Sequence, residues 1–462
     1  MRRTRSRLLA ATLAGVATAG GVAAWSLWQR HRAAERQRRA PGTLAVQTLA
    51  DGHGPLFRRV YSLDIVHPDL TPEQLMAHVT ADLDAFTPGV IARFEKTCGV
   101  PGHLAEGDEF IVHLKSPWDG PVRVDAVTPT AFRLVTLEGH LEAGAIAFST
   151  YAVGTRDPGI DRDDGQRPAP RTVRVAIVSC ARSRDRSVHL AYHQLGLARA
   201  VQTQMWKTFL CRIAERAGGT AGPVRVRTYT ADLDDPLTRA DAEPPAPLAG
   251  VLTDLAARTL NFEPAADAAS LDATWRRADD AVDLLPEPPG PPVAGGSFER
   301  AKAFVAAYRH PDPGRLVGVY DPSVALGERT MLLQARFLGL GFRFGVKTTT
   351  PVEEVRETDD GPIHSWRYGY RTLEGHFERG EITFELQKHA RTGRVVFRMH
   401  SYSQLGSIAN PFYAVGMRVF GRFLQRQFVH RAFARTARYV EESLVRDACL
   451  QGLPIAQRLL RP

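Results

Sequence analysis

Cysteine is scarce: the 462-residue chain has four, Cys98, Cys180, Cys211 and Cys449, with no Cys-x-x-Cys or Cys/His spacing between them. This excludes a zinc module or a dithiol redox pair built on local spacing. The four read as ordinary small buried residues, and disulfides stay formally open only for an exported body. A nucleophile elbow, a Ser/His/Asp order and a Gly-rich phosphate loop are also missing, so no cofactor is expected. The folded body has almost no net charge. Of the formal +9, Arg2, Arg3, Arg5, Arg7, Arg30, Arg32, Arg36, Arg38 and Arg39, less Glu35, place +8 in residues 1–40. A basic face able to neutralise many phosphates is therefore absent, and nucleic acid is not an expected partner.

What is present begins with an uncharged run from Leu8 to Trp28, long enough to cross a bilayer as a helix, with Trp25 and Trp28 at its interfacial end. We expect a single-pass anchor in residues 1–40. The alternative is a signal peptide cleaved near Ala17-Thr18-Ala19 or Val22-Ala23-Ala24. Arginines flank the run on both sides, so the side of the membrane stays open.

The chain also repeats itself. Residues 136–148, TLEGHLEAGAIAF, and 372–384, TLEGHFERGEITF, are identical at nine of thirteen positions without a gap. A period of 236 residues is too long for a solenoid and fits a duplicated domain. We expect a first domain over 55–218, an Ala/Pro/Asp-rich linker over 219–258, a second domain over 259–446 and a tail over 447–462.

In the first copy, Phe57–Val66 reads as a strand, and Thr71-Pro72-Glu73-Gln74 as a helix start with a capping box. A second short helix is expected over Val90–Thr97. Strands follow at Glu109–Lys115, Val122–Val127, Phe132–Leu137, Ala145–Tyr151 and Val173–Ala181. The copy closes with a helix carrying Leu197, Val201, Met205, Phe209 and Ile213 on one stripe. The second copy has the same order: a strand within Asp272–Leu284, a helix over Phe298–Tyr308, strands around Thr330–Lys347, Ile363–Thr372, Glu381–Lys388 and Arg394–Tyr402, and a final helix over Phe412–Leu444. Asp157–Pro170 is a polar insertion found only in the first copy. The expected fold class is α+β: two tandem helix-grip-like domains, each a curved antiparallel sheet around a long C-terminal helix.

The repeated motif joins two strands, so Gly375 to Gly380 should form a hairpin loop whose glycines supply positive φ. Its side chains also admit chemistry, His376 with Glu378 or Glu381 as an acid/base pair. The first copy keeps His140 and Glu142 but has Ala145 where the second has Glu381. A metal site would need a third ligand from His364, His389 or His400, and none is expected. On Ile363–Thr372, Trp366, Tyr368 and Tyr370 share one face with His364. With Phe397 and Met399 they form either plain core or the wall of a ligand pocket. On the last helix Arg418, Arg422 and Arg426 form a row, either solvated or resting on anionic head groups.

From Tyr370 to Phe384, with Thr372-Leu373, Gly375-His376, Glu378 and Gly380-Glu381, and then Val395–Ser403 and Gly421–Val440, the second copy resembles a bacterial and plant family catalogued as a domain of unknown function, number nineteen-ninety. The resemblance covers about 180 residues, from near Asn261 to Val445. The family pattern has Pro after the His, where this chain has Phe377 and Leu141. The resemblance implies a helix-grip, START-like fold and no established activity. The leading expectation is a membrane-tethered binding protein for a hydrophobic small molecule or lipid. The alternatives are an enzyme using His376, Glu378 and Glu381, and a filled-core interaction module.

Overall fold

The computed structural model describes residues 42–89, 91–114, 119–153, 172–195, 197–237, 246–265, 271–337, 340–406 and 411–451. The apolar run 8–28 and the insertion Asp157–Pro170 lie outside them. Among the described residues no helix is long and apolar enough to cross a membrane. The chain forms two units, Met1–Leu233 with Val445–Pro462, and Asp234–Leu444.

In the first unit the strands are β1 (His53–Val66), β2 (Ala92–Cys98), β3 (Glu109–Leu114), β4 (Asp119–Thr128), β5 (Ala131–Thr136), β6 (Glu142–Val153), β7 (Thr172–Ser183), β8 (Thr220–Ala221) and β9 (Arg225–Ala231). They make one antiparallel sheet in the order β2-β3-β4-β5-β6-β7-β1-β8, with β9 also on β1. Its helices are α1 (Pro72–Ala81), α2 (Arg186–Leu195) and α3 (Leu197–Ala217). The capping box forms as the sequence requires: Gln74 N–H donates to the Thr71 hydroxyl and Thr71 N–H to the Gln74 side chain. Met205, Phe209 and Ile213 of α3 pack with Tyr61, Phe132 and Phe148 of the sheet.

Three expectations change here. Residues 92–98 form a strand rather than a short helix, because Ala92 and Phe94 point inward while Arg93 and Glu95 point out, a period of two. Val201 is exposed, and Trp206, Leu210 and Ala214 are buried beside the expected stripe. Steps of four overshoot a helical turn by about 40°, so the buried stripe drifts onto its neighbours. Finally, Cys180 and Cys449 are joined by a disulfide across 269 residues of sequence, with their Cα atoms 5.7 Å apart. Both are buried beside Leu56 and Ala147, whereas Cys211 is exposed and free. A pairing over that separation leaves no trace in spacing.

In the second unit the helices are α4 (Ala246–Ala256), α5 (Ser297–Ala306) and α6 (Pro411–Leu450), the last six residues of α6 belonging to the first unit. The strands are β10 (Arg276–Asp283), β11 (Leu316–Val319), β12 (Thr330–Phe337), β13 (Leu340–Thr348), β14 (Val352–Arg356), β15 (Ile363–Thr372), β16 (Glu378–His389) and β17 (Val395–Leu405). They form a second antiparallel sheet, β10-β17-β16-β15-β13-β12-β11, with β14 also on β15. Strands β11 and β14 have no counterpart in the sequence reading. The stretch read as linker is largely structured: β9 pairs with β1, and Leu252 and Leu255 of α4 pack on Leu332 and Leu373.

One ion pair organises the front of this unit. Lys388 on β16 is completely buried and donates to the Glu287 carboxylate at 2.7 Å and to the carbonyls of Pro288 and Pro291 at 3.0 and 2.8 Å. The same carboxylate accepts from Val293 and Phe298 N–H. It therefore caps α5, whose own N-cap, Gly296, has no side chain to do so.

Replacing Lys388 by Met should destabilise the second unit by about 3–5 kcal/mol, because the carboxylate stays buried without its cation. The double replacement Lys388→Met with Glu287→Gln should recover part of the loss. Urea unfolding measures both, and a single-variant cost under about 1 kcal/mol would contradict this account.

Candidate functional site

The repeated motif builds the same device twice. Gly144 and Gly380 hold φ of 152° and 154°, and an added Cβ would lie 2.1 Å from the carbonyl oxygens of Cys180 and Tyr402 respectively. Their N–H groups each donate at 2.9 Å to the hydroxyl of the motif threonine, Thr136 or Thr372. Gln47 and Asn261 bridge the two sides of the loop through hydrogen bonds to the Glu142 and Glu378 carbonyls. The N–H of Glu142 or Glu378 donates to Nδ1 of His140 or His376, at 2.9 and 3.0 Å. An Nδ1 that accepts belongs to a neutral imidazole, and burial holds His376 at a pKa of about 4. The motif is thus a backbone lock.

The expected acid/base candidates are spread by the strand period. Glu378 and Glu381 are three residues apart and lie on opposite faces of β16. Glu381 pairs with Arg371 and accepts from Tyr402, each at 2.9 Å. Glu378 lies on the helix-facing side, where Gln425 of α6 donates to both its oxygens at 3.0 and 3.1 Å. The hydrogen bonds of His376 go to the main chain of Glu378, not to either carboxylate. Among the described residues no three metal-ligating side chains cluster. His400 contacts Glu385 and Asp279.

The expected aromatic wall is on the helix-facing side. Trp366, Tyr368, Phe397 and Met399 are buried in one core with Phe384 and Phe433. Tyr368 donates to the Val305 carbonyl at 2.7 Å. Tyr370 is half-buried at the edge of this core, and burial pushes its hydroxyl up to about 12.

Two residues unmarked in the sequence complete the picture. Past the end of α5, Tyr308 takes φ of 51°, rare for a bulky side chain. Side chains from several elements fix this turn: Tyr368 on Val305 O, Tyr320 on Ala307 O and Arg435 of α6 on Arg309 O. The turn delivers His310 into the interior. His310 is fully buried, both its ring nitrogens lack hydrogen-bond partners, and Phe384 lies 4.5 Å away. Burial, with Arg435 nearby, holds its pKa at about 3, so it is neutral. The Tyr308 hydroxyl approaches that of Tyr370 without reaching good hydrogen-bond geometry, and Glu378 acts electrostatically on Tyr370. Glu378, Tyr370, Tyr308 and His310 therefore form a polar line through an aromatic interior. The only sequence signal for Tyr308 and His310 was a helix end ahead of Pro311.

The two copies differ at the carboxylate. In the first, Glu142 is held by Arg59 at 3.0 Å, with Gln202 of α3 bonded to both. Despite its burial, the guanidinium keeps Glu142 below the usual carboxylate range. Gly144 faces Ala181 as Gly380 faces Ser403, so corresponding residues are 236 apart on β6/β16 and 222 apart on β7/β17. The difference equals the length of the insertion Asp157–Pro170. By the same register Arg59, opposite Ser179, corresponds to Ala278, opposite Ser401. Gln202 and Gln425 occupy equivalent places on the closing helices, but the second copy has Ala278 at the place of Arg59. Burial raises Glu378 above the usual range, with Gln425 and the more distant Arg276 opposing.

These features define a class: tandem α+β domains of helix-grip type, in which a long C-terminal helix lies on an antiparallel sheet, in two diverged copies. Residues 263–435 match the model of the family described as Domain of unknown function (DUF1990). No curated protein matches the sequence. Among solved structures, the di-domain ARO/CYC BexL from the BE-7585A biosynthetic pathway is similar over 83% of this chain and 98% of its own, at 10% identity and a TM-score of 0.26. The di-domain ARO/CYC StfQ from the steffimycin biosynthetic pathway is similar over 84% and 99%, at 10% identity and a TM-score of 0.25. Ara h 8.0201 is similar over 36% of this chain and 97% of its own, at 10% identity and a TM-score of 0.22. Likenesses of this size say nothing about what this chain binds.

Gly380→Ala should cost more than about 2 kcal/mol through its clash with backbone. Thr372→Val should cost about 1–2 kcal/mol by leaving a buried N–H without an acceptor. Thermal unfolding reads both, and a Gly380→Ala protein as stable as the parent would refute the lock.

Proposed function

We propose that the second unit binds a hydrophobic small molecule or lipid, held at a membrane by the apolar run at residues 8–28. The observation that carries this reading is a polar line in an aromatic interior in which the Tyr308 hydroxyl and both His310 ring nitrogens have no hydrogen-bond partner. Buried polar groups are almost always paired, so a fully buried His310 with two unpaired nitrogens marks a place for a hydrogen-bonding ligand group. Tyr308 and Tyr370 would face the same group, with Trp366, Tyr368, Phe397 and Met399 forming the apolar wall behind. The strained Tyr308 turn supports a positioned site, since such conformations persist only where the surroundings fix them. The acid/base alternative through His376, Glu378 and Glu381 has less support, because these groups have separate partners.

The Cys180–Cys449 disulfide supports an exported body, since such bonds persist in oxidising compartments. Alkylating the denatured, unreduced full chain should modify Cys98 and Cys211 alone. Modification of all four cysteines would refute export.

Native mass spectrometry of the full chain, followed by organic extraction, should reveal a co-purifying hydrophobic molecule. His310→Phe, which fills the same aromatic environment, should lower its occupancy at least several-fold while leaving unfolding unchanged. A parent protein that is empty and unresponsive to a lipid panel would end the binding reading.

A further inference from the structure

The difference between the copies at one position indicates what the second unit recognises, an inference that rests on the binding reading above. Both copies place a carboxylate directly after the locked hairpin and a glutamine on the closing helix beside it: Glu142 with Gln202, and Glu378 with Gln425. The first copy completes the set from within. Arg59, only 2% exposed, reaches Glu142 and Gln202 at 3.0 Å each. In the second copy the carboxylate and amide remain, but the residue at the arginine's place is Ala278, which is exposed. Among the described residues Glu378 makes no ion pair, and no side chain at position 278 can reach it as Arg59 reaches Glu142.

We propose that the ligand of the second unit carries a cationic group, an amine or a guanidinium, which sits at Glu378 and Gln425 where Arg59 sits in the first unit. The rest of the molecule is apolar and runs toward Tyr370 and the aromatic wall. A half-buried carboxylate is disfavoured until a cation arrives, so pairing at Glu378 discriminates strongly by charge. A neutral ligand of the same shape would gain only hydrogen bonds there, and an anionic one would be repelled.

Three ten-carbon probes that differ only in the head group test this on the full chain by calorimetry: decylammonium, decanol and decanoate. Decylammonium should bind roughly tenfold tighter than decanol, with decanoate weakest. Glu378→Gln keeps a hydrogen-bonding partner for Gln425 and should erase the preference while leaving decanol binding in place. Ala278→Arg, which restores the arrangement of the first copy, should also abolish the preference, with an unchanged melting temperature showing that the unit is folded. Equal binding of decanol and decylammonium, or a preference that survives Glu378→Gln, would overturn the cationic assignment and leave the binding reading standing. Failure of all three probes to bind would overturn both.

Discussion

The second unit depends on a cation that never meets water. Lys388 is sealed under the proline-rich loop and held by Glu287 and two carbonyls. Charges are removed from water at a cost of several kcal/mol each unless they are paired and fully bonded. Glu287 satisfies this condition while also capping α5 through Phe298 N–H. The pair therefore fixes where α5 begins. Because α5 is ten residues long, it also fixes where the helix ends and where the strained turn carries Tyr308 and His310 inward. A stability element at one end of a helix thus places the candidate ligand-facing groups at the other.

Duplication separates structure from specificity within one chain. What the copies share is backbone control: the threonine hydroxyl on a glycine N–H, the glycine whose Cβ would strike a carbonyl, and the histidine accepting a main-chain bond. These groups are needed wherever the hairpin occurs, so they persist in both. What differs is the charge around the shared carboxylate. Arg59 compensates Glu142 by direct contact, whereas Glu378 has the Gln425 amide and only a longer-range influence from Arg276. The first copy is internally satisfied at this point and the second is not, which makes the second the better candidate for a binding site.

Much of this was legible in one sequence. The capping box at Thr71, the strands with period two and the long closing helices have local causes, and the structure places them within a few residues of expectation. The aromatic face of β15 was legible for the same reason, because alternation alone puts Trp366, Tyr368 and Tyr370 together. The misreadings also have physical causes. Ala92–Cys98 was too short for its period to be recognised, and steps of four on α3 drifted off the buried stripe. The motif histidine looked chemical because a turn-locking imidazole and a catalytic one share the same residue types.

The sequence by itself determined most of the elements, the duplication and the hairpin at the repeated motif, since each follows from neighbours along the chain or from a repeat that can be read directly. Only the tertiary structure decided three further things: that Cys180 meets Cys449, that His310 is buried without partners, and that Ala278 stands where Arg59 stands. Each depends on residues brought together from distant segments by strand register and helix packing. No local pattern records which side chains will share an interior, or which of them will find a partner there.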